Sequence, residues 1–211
     1  MRILLGLICL VLVVSCQNEG NKPKNVAVDW AGPKDSVKEF RQHLQEKERQ
    51  ATERKNDTLG RLVSTIDFNV MTYDSIIKKE EVISMIELDS PDIKHLIGKE
   101  DIELKDETVT LIIDYPLDNP DFSELVSKNG FTRQGLVEAI AKRYHEIYDE
   151  EEQSATIKTV PSEKRTGMYN RNETNGRYHI WGHDISDLVL TSIWVYKNDK
   201  GRIFLSLQID S

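Results

Sequence analysis

The C-terminal part of the chain carries the pattern that most restricts the fold: two apolar stretches separated by a turn. Residues Leu188 to Tyr196 are apolar at most positions, which is typical of a strand buried on both faces. The sequence Asn198-Asp199-Lys200-Gly201 favours a turn. After the turn, polar residues alternate with apolar ones, which are Ile203, Leu205, Leu207 and Ile209. The pattern predicts a β-hairpin whose first strand lies inside a sheet and whose second strand has one solvent-exposed face.

A strand and a helix are predicted before the hairpin. β-forming residues alternate over 108–115 and stop at Pro116, which predicts a strand. Thr132 is a good helix N-cap. It precedes a broad apolar stripe at helical spacing, formed by Leu136, Val137, Ile140, Ala141, Tyr144, Ile147 and Tyr148. We therefore expect an amphipathic helix over 132–150. The expected fold class is α+β, in which a small antiparallel sheet with the C-terminal hairpin packs against this helix.

A second, longer helix is predicted over residues 34–67. Apolar residues recur there at helical intervals, at Val37, Phe40, Leu44, Ala51, Leu59, Leu62, Val63 and Ile66. Lys47 and Glu48 interrupt the stripe at positions where a coiled coil needs apolar side chains. A solvated helical spacer is therefore favoured over a partner-binding helix. The spacer would precede a single α+β domain over 68–211.

The N-terminus has the pattern of an export signal. Arg2 precedes a nearly unbroken apolar run, Ile3–Val14, and polar residues begin at Gln17. The run is shorter than the about 20 apolar residues that a transmembrane helix needs. A positive start followed by a short apolar run is typical of a secretory signal peptide.

The end of the apolar run, Val13-Val14-Ser15-Cys16, resembles the lipobox of bacterial lipoproteins. The resemblance implies removal of residues 1–15 and attachment of lipid, such as palmitate, to Cys16, which would hold the chain on a membrane of the cell envelope. Gln17 stands where an inner-membrane retention signal has Asp, which favours the outer membrane, on its periplasmic or its surface face. Residues 16–33 contain Gly, Lys and two prolines and are expected to form a flexible tether.

Three tripeptides resemble the O-glycosylation acceptor motif of Bacteroidetes and favour a lipoprotein of that type. They are Asp35-Ser36-Val37, Asp57-Thr58-Leu59 and Asp74-Ser75-Ile76.

Charge and cysteine content exclude several functions. The chain has 28 Lys and Arg against 36 Asp and Glu, a net charge of −8, whereas nucleic-acid binding favours a basic surface. No nucleic-acid partner is therefore expected. The two cysteines are Cys9, which lies in the signal, and Cys16, so the mature domain has no disulfide and no thiol nucleophile. The sequence also lacks the glycine-rich phosphate loop and the HExxH zinc motif, and we expect neither a cofactor nor a metal.

One short segment, residues 178–187, concentrates the residues that could form a site. The candidates within it are His179, Trp181, His183, Asp184 and Asp187. It follows a polar, aperiodic stretch, 154–177, and loops of that length are often functional. Asn170 and Arg171 in this stretch are further candidates for ligand binding. Imidazole and carboxylate groups suit a metal or a general base, but Gly182 disfavours the helix that would bring the histidines together. The alternatives are a binding surface, or a structural turn with Trp181 in the core.

The C-terminal half also resembles a family of bacterial proteins that share an IWGHD-type signature. The resemblance covers the chain from near Thr108 to its end. The matching segments are Gly130-Phe131-Thr132-Arg133, Tyr144-x-x-x-Tyr148 with the acidic residues after it, Asn170-Arg171 and Trp181-Gly182-His183-Asp184-Ile185-x-x-Asp187-Leu188. It implies no activity. The favoured hypothesis is a lipid-anchored, non-enzymatic domain that binds an envelope protein or a ligand through the polar stretch 154–177 and the segment 178–187. The alternatives are a histidine- or metal-dependent hydrolase at the same place and an immunity-type protein that neutralises a toxin.

Overall fold

A computed structural model describes residues 59–76, 78–165 and 171–211, together with Gln42. Within 59–211 the described residues form ten strands and one α-helix, α1 (Arg133–Ser154). The strands are β1 (Arg61–Asp67), β2 (Val70–Asp74), β3 (Lys79–Ile83), β4 (Ile86–Glu87), β5 (Ile102–Leu104), β6 (Thr108–Ile113), β7 (Asp121–Val126), β8 (Phe131–Thr132), β9 (Val189–Lys197) and β10 (Ile203–Asp210). The described part of the protein is therefore mostly β.

The central sheet is mixed and six-stranded, with the order β1-β9-β10-β6-β7 and with β4 paired to β9. The predicted hairpin is formed by β9 and β10, and β9 lies inside the sheet as expected. However, β10 pairs parallel with β6 through Phe204, Leu205 and Ser206. The expected α+β fold with a small antiparallel sheet is therefore wrong, because the chain brings its last strand beside β6 in the parallel direction.

The predicted long N-terminal helix is wrong over its last residues, Arg61–Asp67. Residues Arg61–Asp67, predicted to be its last turns, form β1, which pairs antiparallel with β9. Of the apolar residues Leu62, Val63 and Ile66, only Ile66 is buried. Pairing with an interior strand outweighs the helical spacing of these residues, because sheet contacts decide the state of β-branched segments. The structure describes one further residue of the predicted helix, Gln42, which is helical. The tether, the signal and Cys16 lie outside the described residues.

Helix α1 packs against one face of the central sheet. Its core side chains are fully buried with those of the sheet, and the helical members are Leu136, Val137, Ile140, Tyr144 and Ile147. Alternate residues of β6 and β10 supply the facing layer, as the two-residue period of a strand requires. The Thr132 hydroxyl accepts a hydrogen bond of 3.0 Å from the Gly135 amide, so the predicted N-cap is confirmed. No helix formed by the described residues is both long and apolar enough to cross a membrane.

Candidate functional site

The candidate segment starts beside the turn that follows β6. The Asn119 and Asp118 amides donate to the carbonyls of Tyr178 and His179, at 3.0 and 3.2 Å. The Trp181 amide donates to the Pro116 carbonyl at 3.2 Å. The segment is therefore held to the turn by its backbone, in an irregular extended form.

Glu151, near the end of α1, holds the segment from the other side. Its side chain is fully buried. One carboxylate oxygen accepts from the Thr174 hydroxyl and the Gly176 amide, both at 2.7 Å. The other accepts from the amides of Tyr178 at 2.7 Å and His179 at 3.3 Å. A single carboxylate thus satisfies four donors of a segment that has no regular partner strand.

The ionised form of Glu151 is the stable one. Burial opposes ionisation, but the hydrogen bonds from the Thr174 hydroxyl and from the backbone amides outweigh it and lower the pKa of the carboxyl. Donors directed at a carboxylate stabilise its charge. Glu151, which belongs to the acidic run after Tyr148, therefore fixes the candidate segment in its charged form.

Gly176 is required for this contact. A Cβ atom at residue 176 would lie 2.6 Å from the Cδ, the Oε2 and the backbone oxygen of Glu151. Atoms that close must separate, so a larger residue would displace the carboxylate from its donors. The glycine therefore permits the close approach of the loop to the end of the helix.

Arg143 ties α1, β7 and the candidate segment together. Its guanidinium makes a two-point contact with Asp121, with Nε to Oδ2 at 2.9 Å and Nη2 to Oδ1 at 2.8 Å. It also donates to Glu150 and to the Tyr178 hydroxyl, both at 2.8 Å. Tyr178 in turn donates to Glu150 at 2.5 Å. The network links three elements through charge-assisted hydrogen bonds.

The network shifts the pKa values of its members in the directions expected for ion pairs. The pKa of Asp121 is lowered because hydrogen bonds from Arg143 and Ser123 outweigh its burial. The pKa of Glu150 is lowered by hydrogen bonds from Tyr178 and Arg143. Asp121, Glu150 and Arg143 therefore keep their charges at neutral pH, and the ion pairs persist.

Asp184, one of the predicted candidates, is bound by two arginines. Arg165 contacts both carboxylate oxygens, and Arg171 donates to Oδ1 at 3.3 Å. Arg171 is itself buried, and its guanidinium lies 5.0 Å from the centre of the Tyr148 ring. The carboxylate of Asp187, another candidate, accepts from the Asp184 amide at 2.8 Å. The candidates Asp184, Arg171 and Asp187 therefore make contacts within the fold. Asn170, a further candidate, lies outside the described residues.

Two asparagines order the described part of the loop before the segment. The Asn175 side-chain oxygen accepts from the amides of Thr156 and Ile157 at 3.0 and 2.7 Å. The Asn172 side-chain oxygen accepts from the Val160 amide at 2.7 Å. These contacts join residues 12 to 19 positions apart in the sequence, so the local sequence carries no signal that could have predicted an ordered loop.

His179 and His183 are placed differently. His179 has a φ angle of +53°, a conformation that non-glycine residues seldom adopt, and its backbone supplies the contacts to Glu151 and Asp118. The ring of His183 is half-buried and lies near two aromatic rings: its centre is 5.5 Å from that of Tyr115 and 6.1 Å from that of Trp181. We call these three residues the aromatic cluster.

The aromatic cluster has one edge at the surface. Trp181 is only 2% exposed, whereas Tyr115 and His183 are half-buried. The exposed Ser211 hydroxyl lies 2.8 Å from the Tyr115 hydroxyl and 3.5 Å from Nε2 of His183. Nδ1 of His183 is buried and has no hydrogen-bond partner among the described residues. Tyr115 and Ser211 belong to the site but were not predicted, since they are distant from it in sequence.

The described residues of the site do not form two common catalytic arrangements, a metal cluster and a serine–histidine pair with an oriented base. Among the residues that the structure describes, no three His, Cys, Asp or Glu side chains converge so that they could hold a metal ion. A serine–histidine pair needs an acceptor at the second ring nitrogen to orient the base, and Nδ1 of His183 has none in the described structure. Burial lowers the pKa of His183 and outweighs the opposing effects of Asp187 and Asp184. The imidazole is therefore neutral near pH 7.

No known family model, curated protein or solved structure matches this chain. The resemblance to the IWGHD-type family remains a prediction. The function is therefore inferred from the site itself.

Proposed function

We propose that the chain is a lipid-anchored envelope protein that binds a partner protein through the exposed edge of the aromatic cluster, formed by Tyr115, His183 and Ser211. The observation that supports this proposal is that some side chains of the site contact the rest of the fold, whereas others are exposed to solvent. Asp184, Asp187 and Glu151 make internal contacts that fix the segment, while the half-buried imidazole and two neighbouring hydroxyls reach the surface.

A fixed aromatic and hydroxyl-bearing surface suits protein binding. Aromatic side chains are enriched at protein interfaces, and groups that are already held in place lose little conformational entropy when a partner binds. The backbone contacts to 116–119 and to Glu151 supply that rigidity. The hydrolase hypothesis is less well supported, because its carboxylates already have partners within the fold.

The binding hypothesis is tested by affinity capture from envelope extract with the lipidated chain as bait. We expect His183→Ala to lose the captured partner, because it removes the ring at the centre of the proposed surface. Trp181→Ala is unsuitable, since Trp181 is buried and its loss would test the fold.

His145→Ala is the matched control, because His145 lies on the exposed side of α1 and its ring contacts the Asp89 carbonyl at 3.0 Å. The control should retain the partner. Equal capture by wild type and the His183 variant, with both folded, would refute the proposed surface.

The proposed anchor is tested separately. Cys16→Ser removes the acceptor thiol, so we expect the protein to lose its lipid and to move from the membrane to the soluble fraction. The measurement is fractionation of cells combined with intact-mass analysis. Membrane association that persists without acylation would contradict the anchor.

A further inference from the structure

One of the three tripeptides that resemble an O-glycosylation acceptor lies on an exposed turn. Asp74-Ser75-Ile76 ends β2 and begins the turn to β3, and its serine and isoleucine are both exposed. β2 and β3 pair as a separate two-stranded sheet. Exposure rises along this hairpin, from 4% at Val70 to 61% at Tyr73 and 89% at Ile76. The tripeptide therefore lies at the outer end of the hairpin, where a second protein can reach it.

The backbone of this turn is fixed by the first residue of the tripeptide. The Ile76 amide donates a hydrogen bond of 2.7 Å to Oδ1 of Asp74, which is the contact of an Asx turn. The contact closes a ring around Ser75, so the three residues are presented in one conformation. A segment that is already fixed loses little conformational entropy when it binds an enzyme.

Packing does not explain why residue 76 is an isoleucine, because its side chain is almost fully exposed. The tripeptide Asp57-Thr58-Leu59 differs in this respect, since Leu59 is 8% exposed and belongs to a hydrophobic cluster on the central sheet. The fold accounts for Leu59, and an enzyme that must bind it cannot reach it in the folded protein. The tripeptide Asp35-Ser36-Val37 lies outside the described residues. Folding therefore favours the tripeptide at Ser75 over the one that contains Leu59.

We infer that Ser75 is an O-glycosylation site that is modified after export. In the reaction, Oγ of Ser75 attacks the anomeric carbon of a sugar that is linked to a phosphate carrier. The glycosidic bond forms as the bond between the anomeric carbon and the phosphate oxygen breaks. The carrier phosphate leaves with the electron pair, and the hydroxyl proton passes to a base of the transferase. The inference rests on the export that the proposed function includes, but neither on the lipid nor on the aromatic cluster.

An exposed hairpin end suits this modification. A glycan is bulky and solubilising, and it is tolerated only at the surface. At Ser75 it would extend away from the core, because the neighbouring Tyr73 and Ile76 are themselves exposed.

The test measures the masses of tryptic peptides from the chain purified from the envelope of the bacterium that produces it. Trypsin releases Ser75 in peptide 62–78, because it cleaves after Arg61 and Lys78. We expect this peptide to carry the added mass of a glycan, which fragmentation places on Ser75. Ser75→Ala should abolish the added mass. Peptide 56–61, which contains Leu59, should have its unmodified mass.

Ser84→Ala is the matched control. Ser84 is exposed and precedes the exposed Met85, but it follows Ile83 in place of an aspartate. This variant should retain the glycan on peptide 62–78. Asp74→Ala should lose the glycan, because it removes both the carboxylate and the Asx turn.

Other outcomes would overturn the inference. An unmodified peptide 62–78 from envelope-bound protein would exclude Ser75 and leave the anchor intact. A glycan on peptide 56–61 and none on 62–78 would show that the tripeptide is recognised without regard to the fold. Recovery of the chain from the cytoplasm in unmodified form would contradict both the export and the modification.

Discussion

At the scale of single residues, Glu151 does the most to fix the candidate segment. Its carboxylate accepts from one hydroxyl and three amides while fully buried. No side chain of similar shape can replace it, because Gln offers one acceptor oxygen and a donor amide where four donors converge.

Glu151→Gln should therefore destabilise the protein by about 2–4 kcal/mol at pH 7, the range for donors left unpaired around a buried charged site. The lowered pKa of Glu151 means that its contribution to stability is present above the ordinary value of 4.5 and is lost as the pH falls through the folded-state pKa. Urea unfolding at pH 7 and in acid measures both effects. The difference between wild type and variant should shrink in acid, and a constant difference would contradict this role.

The roles of individual residues in and around the candidate segment were only partly predictable from the sequence. The concentration of His, Asp and Trp in 178–187 singled out that segment as a candidate site, which stays a prediction. Trp181 is buried, as the structural alternative expected. The role of Glu151 was not visible, because an acid within an acidic run has the sequence signature of a solvated helix end. Its burial depends on a loop that folds back over the helix.

At the scale of elements, the sequence predicted the helix, strand and hairpin whose formation depends mainly on residues close together in the sequence. The helix predicted over 132–150 is present as Arg133–Ser154, and the strand and hairpin are present within a few residues. β1 was assigned to a helix because Leu62 and Ile66 have helical spacing, while its state is set by pairing with β9. Such long-range pairing leaves little trace in the sequence of the strand itself.

The contact between α1 and β7 rests on Arg143 and Asp121, whose side chains are 16% and 9% exposed. Removing one partner leaves the other charge poorly solvated, so Arg143→Gln and Asp121→Asn should each destabilise the protein by about 2–4 kcal/mol. The double variant should cost less than the sum of the two. Denaturant unfolding of all four proteins measures the coupling, and additive losses would show that the pair is not a unit. Lys142→Gln, at an exposed neighbouring position, is the control.

At the scale of the whole molecule, the parallel pairing of β6 with β10 could not be predicted. About ninety residues separate these strands, and both alternate in the manner of antiparallel strands. The local pattern of each strand therefore does not show which strand it pairs with or in which direction. The same long connection contains the loop and the candidate segment. The fold thus places the segment against α1 and the turn after β6, where side chains from distant parts of the sequence hold it.

The central claim is that residues 174–183 form a fixed surface and not a mobile loop. Amide hydrogen exchange measures this directly at Gly176, Tyr178 and Trp181, whose amides donate to Glu151 or to Pro116. We predict that these amides exchange at least about a hundredfold more slowly than an unstructured chain, and that Glu151→Gln removes most of this protection at Gly176 and Tyr178. Exchange at unprotected rates in the wild-type protein would contradict the account.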